Sequence, residues 1–168
     1  MTYKIIDNFL DKQKYEEISS FIKGEEIPWY YEKEDIIGND KNKNGFFQHC
    51  FYTDYKPNSS GIDHINPLIK KIKPLSIIKI KANLIFRDVD TINCGYHNDN
   101  KSSSAYTAIF FLTNCNSITT LMLGDKKINV ESKENRFLVF KSCVKHKVIY
   151  PNDIHKRYVI NFNFFKEE

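Results

Sequence analysis

From Leu75 to the C-terminus the chain reads as seven short strand-like runs with no helical pattern between them. The first, LSIIKIKANLIF, alternates. Ile78, Ile80, Ala82, Leu84 and Phe86 fall on one side, and Lys79, Lys81 and Asn83 on the other. That is the period of two expected of a half-buried strand. YTAIFFL, SITTLML, KKINVE, NRFLVF, HKVIY and RYVINFNFF follow, parted by turn signals such as TNCN, LGDK and YPND. A series of this kind points to a sandwich, barrel or jelly roll.

The first 74 residues are patterned differently. YKIIDNF reads as a strand. LDKQKYEEISSFIKG reads as an amphipathic helix, with Asp11 as N-cap, Tyr15, Ile18 and Ile22 on one face and Gly24 at its end. IPWYYE and NGFFQHCFY are short strands on either side of the polar loop GNDKNKNG. SSGIDHINPLIKKIKP carries Ile62, Ile65, Ile69 and Ile72 at helical spacing; Pro67 starts or kinks that helix and Pro74 stops it. The expectation is one domain over residues 1–168. Helical support covers about 1–74, its two helices packed outside a jelly-roll core at about 75–166.

Hydrophobic residues make up 41% of the chain and aromatic ones 14%, which argues against disorder. Twenty-five basic and 21 acidic residues leave a net charge of +4, too small to indicate nucleic-acid binding. Cys50, Cys94, Cys115 and Cys143 form no C-x-x-C, and no secretory apolar region opens the sequence. They read as reduced thiols of a cytoplasmic protein. No apolar run approaches the ~20 residues of a membrane span.

His97 and Asp99 stand two apart in GYHNDN. In extended chain both side chains point the same way. With five histidines and about one residue in eight acidic, one such pair arises readily by chance, as a turn or surface pair. Its weight comes from His146 and Arg157 downstream, each at the start of a strand-like run. Two imidazoles and a carboxylate on one face of a metal are the ligand set of non-haem Fe(II) oxygenases, which leaves positions open for a bidentate cosubstrate and dioxygen. An arginine fork suits the far end of a dicarboxylate cosubstrate.

YHND, YTAIFFLTNCN, ENRFLVFKSCVKH and KRYVINFNFF, in that order, resemble the 2-oxoglutarate and Fe(II)-dependent oxygenases of the prolyl-4-hydroxylase-like branch. NFLDKQKYEEI, IPWYY, FFQHCFY and IKIKANLIF resemble its small microbial and viral members, so the likeness spans nearly the whole chain. The resemblance implies a double-stranded β-helix, a mainly β, cupin-like jelly roll with flanking helices. It implies His97, Asp99 and His146 as iron ligands and Arg157 as the partner of the distal carboxylate of 2-oxoglutarate. Phe111 falls where relatives often carry a tyrosine touching that carboxylate, with Thr107 or a water as its replacement. Asn83 and Tyr106 are further cosubstrate contacts. SITTLMLGD departs from the Gly-Gly-x-Thr-x-Phe pattern of many relatives. The implied reaction uses O2 to decarboxylate 2-oxoglutarate to succinate and CO2 and to hydroxylate a substrate. That substrate is a peptidyl proline, a small metabolite or a nucleobase.

Other features carry blander readings. His155 is an alternative ligand but crowds Arg157, and with His49 it reads as structural or exposed. Trp29, Tyr30 and Tyr31 read as core or rim, with the substrate entrance as the lesser reading. Lys79 and Lys81 read as a solvated strand face, with contact to an acidic substrate or nucleic-acid backbone as the lesser reading. GNDKNKNG reads as a loop, with a substrate lid as its lesser reading. Two other classes compete: a non-catalytic jelly-roll binding protein, and a cupin-like metalloenzyme that does not use 2-oxoglutarate. Neither calls for a cation at Arg157.

Overall fold

Alternation along a few long strands sorts the residues into layers. The structure, a computed structural model, describes residues 3–32, 45–87 and 94–167. Within them lie β1 (Tyr3–Ile6), α1 (Lys12–Lys23), β2 (Tyr30–Glu32), β3 (Phe46–Thr53) and β4 (Lys56–Pro57). A 3-10 turn (Ser60–Ile65) leads into α2 (Asn66–Ile72), then β5 (Ser76–Phe86), β6 (Ala105–Phe111) and β7 (Cys115–Leu123). β8 (Lys126–Ser132), β9 (Arg136–Lys141), β10 (Lys145–Ile149) and β11 (Lys156–Phe165) complete the set. The loop GNDKNKNG, apart from Gly45, lies outside the described residues.

All strand pairs are antiparallel. One sheet runs β1-β9-β6-β11-β5-β3-β2, with β4 on β3, and the other runs β10-β7-β8. The chain is mainly β with flanking helices, a double-stranded β-helix. The N-terminal third supplies more than helices: β1 forms one edge of the large sheet, and β2, β3 and β4 extend the opposite side.

Both helices cover one face of the large sheet. Asp11 caps α1 by accepting from the Lys14 amide at 3.0 Å, and the Gly24 amide closes the helix on the Ser20 carbonyl. Ile18 and Ile22 are fully buried against Phe110, Ile160 and Phe162 of the sheet. Pro67 sits in the first turn of α2, and Lys73, at φ 52°, ends it in the left-handed region before Pro74. The Asn135 side chain bonds both the amide and the carbonyl of Leu10 at 2.9 Å, tying this layer to the turn before β9.

The other face of the large sheet looks toward the small sheet. Ile109 and Phe111 of β6, Leu138 and Phe140 of β9 and Val159 of β11 meet Leu121 and Val130 there. One detail departs from strict alternation. Asn163 pairs with Lys79 but Phe164 pairs with Ile77, so a bulge skips one residue of β5. Ile77, not the expected Ile78, therefore packs into the helix-side core.

Candidate metal centre

Between the sheets the apolar filling stops short of the mouth and leaves a cavity of about 110 Å³. Asn83, His97, Asp99, His146 and Arg157, five of the residues singled out in the sequence, line it. His97 lies in the loop after residues 88–93, held to β10 by a bridge: its amide donates to the His146 carbonyl at 2.9 Å, and the His146 amide donates back at 2.8 Å. That reciprocal pair sets the imidazoles side by side, ring centres 4.4 Å apart.

Both rings are oriented the same way. His97 Nδ1 donates to the Gly95 carbonyl at 3.3 Å, and His146 Nδ1 donates to the Val144 carbonyl at 3.2 Å. A carbonyl only accepts, so each Nδ1 carries the proton and each Nε2 keeps its lone pair. The two Nε2 atoms lie 3.9 Å and 3.7 Å from Asp99 Oδ1. One ligand atom from each of the three residues falls within 4.8 Å of the others. Asp99 is held by its second oxygen, since Oδ2 accepts from Thr107 Oγ1 at 2.8 Å and from Asn163 Nδ2 at 2.9 Å. Asn163 also donates to Thr107, and the buried Ser142 hydroxyl lies 2.9 Å from it.

Protonation states agree with this geometry. Burial pulls the His146 imidazole below its ordinary value and outweighs the opposing pull of Asp99, so the ring is neutral at pH 7. Burial pushes the Asp99 carboxyl up. His146, the hydrogen bonds from Asn163 and Thr107, and His97 together more than reverse this, and it stays ionised.

At the closed end lies Arg157, at the start of β11 and only 2% exposed. Its guanidinium stacks over the Phe111 ring at 5.6 Å. Burial pulls its pKa down to about 10, still a cation at neutral pH. Arg157 Nε has no hydrogen-bond partner among the described residues, nor do Asn83 Oδ1, Thr119 Oγ1 and Asn161 Oδ1. All four residues line this cavity. Buried polar atoms are rarely left so, and four around one space mark it as shaped for a polar ligand.

Three side chains lie elsewhere than the sequence reading placed them. Tyr106 faces the helices rather than the cavity, because Thr107 and Ile109 take the inner side of β6 and leave Tyr106 and Phe110 on the outer. Its ring carries the ammonium groups of Lys141 and Lys166 at 4.0 and 4.4 Å. Thr107 does face inward, but its hydroxyl goes to Asp99, four residues along β6 from Phe111, so it does not replace a tyrosine hydroxyl beside Arg157. Thr119 of β7 is the hydroxyl at the cavity wall. Lys81 also departs from the sequence reading: it lines the cavity instead of a solvated face. His49 is structural, its ring bonded to the Pro28 carbonyl and the Ser59 hydroxyl. Thr119, Asn161, Asn163 and Ser142 went unremarked in the sequence. Asn161 and Asn163, polar residues in the alternating run RYVINFNFF, were the one visible signal.

No protein-family model matches the sequence, and no curated protein does. Solved structures do match. A prolyl hydroxylase from Trichoplax adhaerens, in complex with a hypoxia inducible factor oxygen degradation domain peptide, superposes with a TM-score of 0.73 at 16% identity, over 97% of this chain and 83% of that one. An oxidoreductase of the 2OG-Fe(II) oxygenase family from Burkholderia pseudomallei gives 0.72 at 10% identity, over 96% and 84%. A non-heme alpha ketoglutarate dependent epimerase from nogalamycin biosynthesis gives 0.70 at 12% identity, over 98% and 77%. The chain shares their fold.

Proposed function

We propose that this protein is a non-haem Fe(II) and 2-oxoglutarate-dependent dioxygenase that hydroxylates a substrate while decarboxylating 2-oxoglutarate to succinate and CO2. The observation that carries the reading is one cavity with a free-lone-pair His-Asp-His set at its mouth and a buried, incompletely bonded arginine at its closed end.

The donor set fits the metal. Two neutral imidazole nitrogens and one carboxylate oxygen suit a divalent first-row ion and leave one side of it open. The cavity fits the cosubstrate: at roughly 10–15 Å³ per water-sized group, 110 Å³ takes about seven to eleven such groups, the size of a small dicarboxylate. Fe(II) with 2-oxoglutarate supplies the oxidising chemistry. The chain's own share is positional. Gly95 and Val144 carbonyls fix the tautomer of each histidine, Thr107 and Asn163 aim Asp99 Oδ1, and Arg157 and Thr119 offer donors to the distal carboxylate. Either amide can turn its nitrogen toward the ligand, so Asn83 and Asn161 serve as further donors. Ile85, Ile109, Val148 and Val159 line the walls and exclude water.

Fold likeness leaves the substrate open, since the neighbours include a hydroxylase bound to a peptide and an epimerase. Cys50, Cys115 and Cys143 are unbridged thiols, in keeping with a reducing cytoplasm. Among the described residues no helix is long and apolar enough to cross a membrane. A non-catalytic jelly roll has no use for a buried, underbonded Arg157. The test is anaerobic addition of Fe(II) and 2-oxoglutarate, followed by absorption. A metal-to-ligand charge-transfer band is expected, weakened in Arg157→Ala and lost in His97→Ala. An intact band in the His97 variant overturns the assignment.

A further inference from the structure

We propose that Lys81 anchors an anionic group, carboxylate or phosphate, of the primary substrate beside the carbon that is oxidised. The inference rests on the oxygenase reading above and assigns the substrate's chemistry at the same site.

Position comes first. β5 and β11 run antiparallel with Ile85 opposite Arg157, Asn83 opposite Val159, Lys81 opposite Asn161 and Lys79 opposite Asn163. Each of these levels is about 6.8 Å further from the closed end. The carboxyl carbons of an extended five-carbon diacid lie about 5 Å apart by standard bond lengths. A diacid anchored at Arg157 therefore spans about one level, to Asn83. Lys81 stands two levels up, and Asn163 one level beyond it holds Asp99. The lysine thus lies at the depth of the histidine-aspartate set, on the strand that continues toward β3.

Charge comes second. The two charges of Fe(II) and the one of Arg157 are matched by Asp99 and the two carboxylates of the cosubstrate. Lys81 is the charge left over. Its ammonium lies over the Phe46 ring at 5.5 Å and forms no hydrogen bond or ion pair among the described residues. Burial pulls its pKa down, so it is incompletely hydrated where it sits. Lys147 lines the same cavity, and Lys79, one level along β5, is a second like charge near Lys81. Directly opposite Lys81, the Asn161 amide has an unpartnered oxygen. An ammonium is a point charge without the bidentate preference of a guanidinium, so it accepts either anion.

The test uses the whole chain loaded with Zn(II), a diamagnetic, redox-inactive ion suited to the same histidine and carboxylate ligands, so that no turnover occurs and the amide signals of β5 stay sharp. The 2-oxoglutarate affinity is measured by calorimetry. Acetate and methyl phosphate are then titrated onto the loaded protein at constant ionic strength, read by amide nitrogen-15 shifts in β5. At least one should saturate, and the tighter names the group. Lys81→Gln should raise its apparent Kd by about tenfold or more, equivalent to about 1.4 kcal/mol. Lys81→Arg should stay within about threefold and the exposed control Lys126→Gln should match wild type, while all three keep 2-oxoglutarate affinity within about twofold. A tenfold loss of 2-oxoglutarate affinity in Lys81→Gln overturns the proposal by placing Lys81 at the cosubstrate. So does saturation indifferent to Lys81→Gln, or no saturation by either anion. If wild type takes up no 2-oxoglutarate, the oxygenase reading falls. The same titration without metal or cosubstrate then decides Lys81 alone: a Lys81-dependent shift upholds the anion site, and its absence overturns it.

Discussion

The two faces of the large sheet are built from the same strands and obey opposite rules. On the helix side, Ala108, Phe110, Ile160, Phe162 and Phe164 are at most 1% exposed and pack against Ile18, Ile22 and Leu68. On the inner side the neighbouring positions carry Thr107, Arg157, Asn161 and Asn163, and three polar atoms there, on Asn83, Arg157 and Asn161, lack partners among the described residues. Close packing of apolar groups is what stabilises a fold. Underbonded polar groups lower stability, and here they surround a space the size of a small ligand. The helix side is filled by apolar packing throughout, whereas the inner side is apolar only where the small sheet covers it and leaves underbonded polar groups around the cavity.

The largest prediction attacks the packed face. Phe110→Ala should cost about 3–5 kcal/mol of unfolding free energy in urea titrations, while protein that remains folded keeps its metal affinity. A small cost, or loss of metal affinity in the folded fraction, breaks the division between faces. On the inner face, Arg157→Met should reduce 2-oxoglutarate binding by about 30-fold or more, with calorimetry as the measure. The same change should leave apo stability unchanged or raised, because it removes a buried charge. Unfolding of that variant means Arg157 is structural. Thr107→Val should weaken metal binding about tenfold by removing one of the two hydrogen bonds that hold Asp99 Oδ2, read in a competition titration with a chelator. Unaltered affinity means Thr107 does not position the carboxylate.

The smallest effect lies outside both faces. Hydrogen bonding from Arg136 first, with Lys133 adding, outweighs partial burial and lowers the Asp7 pKa from 3.8 to about 2. The folded value is below the unfolded one, so the stabilisation is present above about pH 4 and is lost as pH falls toward 2. The side chain is 37% exposed, which limits the effect to about 0–1 kcal/mol. Asp7→Asn should flatten the acid limb of stability over that range without touching 2-oxoglutarate binding. An unchanged acid limb removes Asp7 from the account.

How far these features were legible depended on whether they followed from local pattern. The strands after Pro74, the Asp11 cap and the stop at Pro74 were readable because each rests on neighbours in sequence. His97, Asp99, His146 and Arg157 stood out through their order and resemblance. Tyr106 was misplaced by one residue of alternation, since a strand buried on both faces shows no polar-apolar rhythm to say which side is inner. Lys81 was misread for the opposite reason: alternation assigned its side of β5, but not that a second sheet faces that side.

By itself, then, the sequence determined the period of each element, the turns between them and the residue types able to hold a metal and a carboxylate, because these depend on backbone geometry and side-chain chemistry over a few residues. Only the tertiary structure decided that His97 bridges to His146 across 49 residues, that Asn163 and Thr107 hold Asp99, and that Lys81 and Thr119 face one cavity. Those relations depend on strand register and on two sheets closing over one another, and register is set by packing of the whole rather than by any one segment.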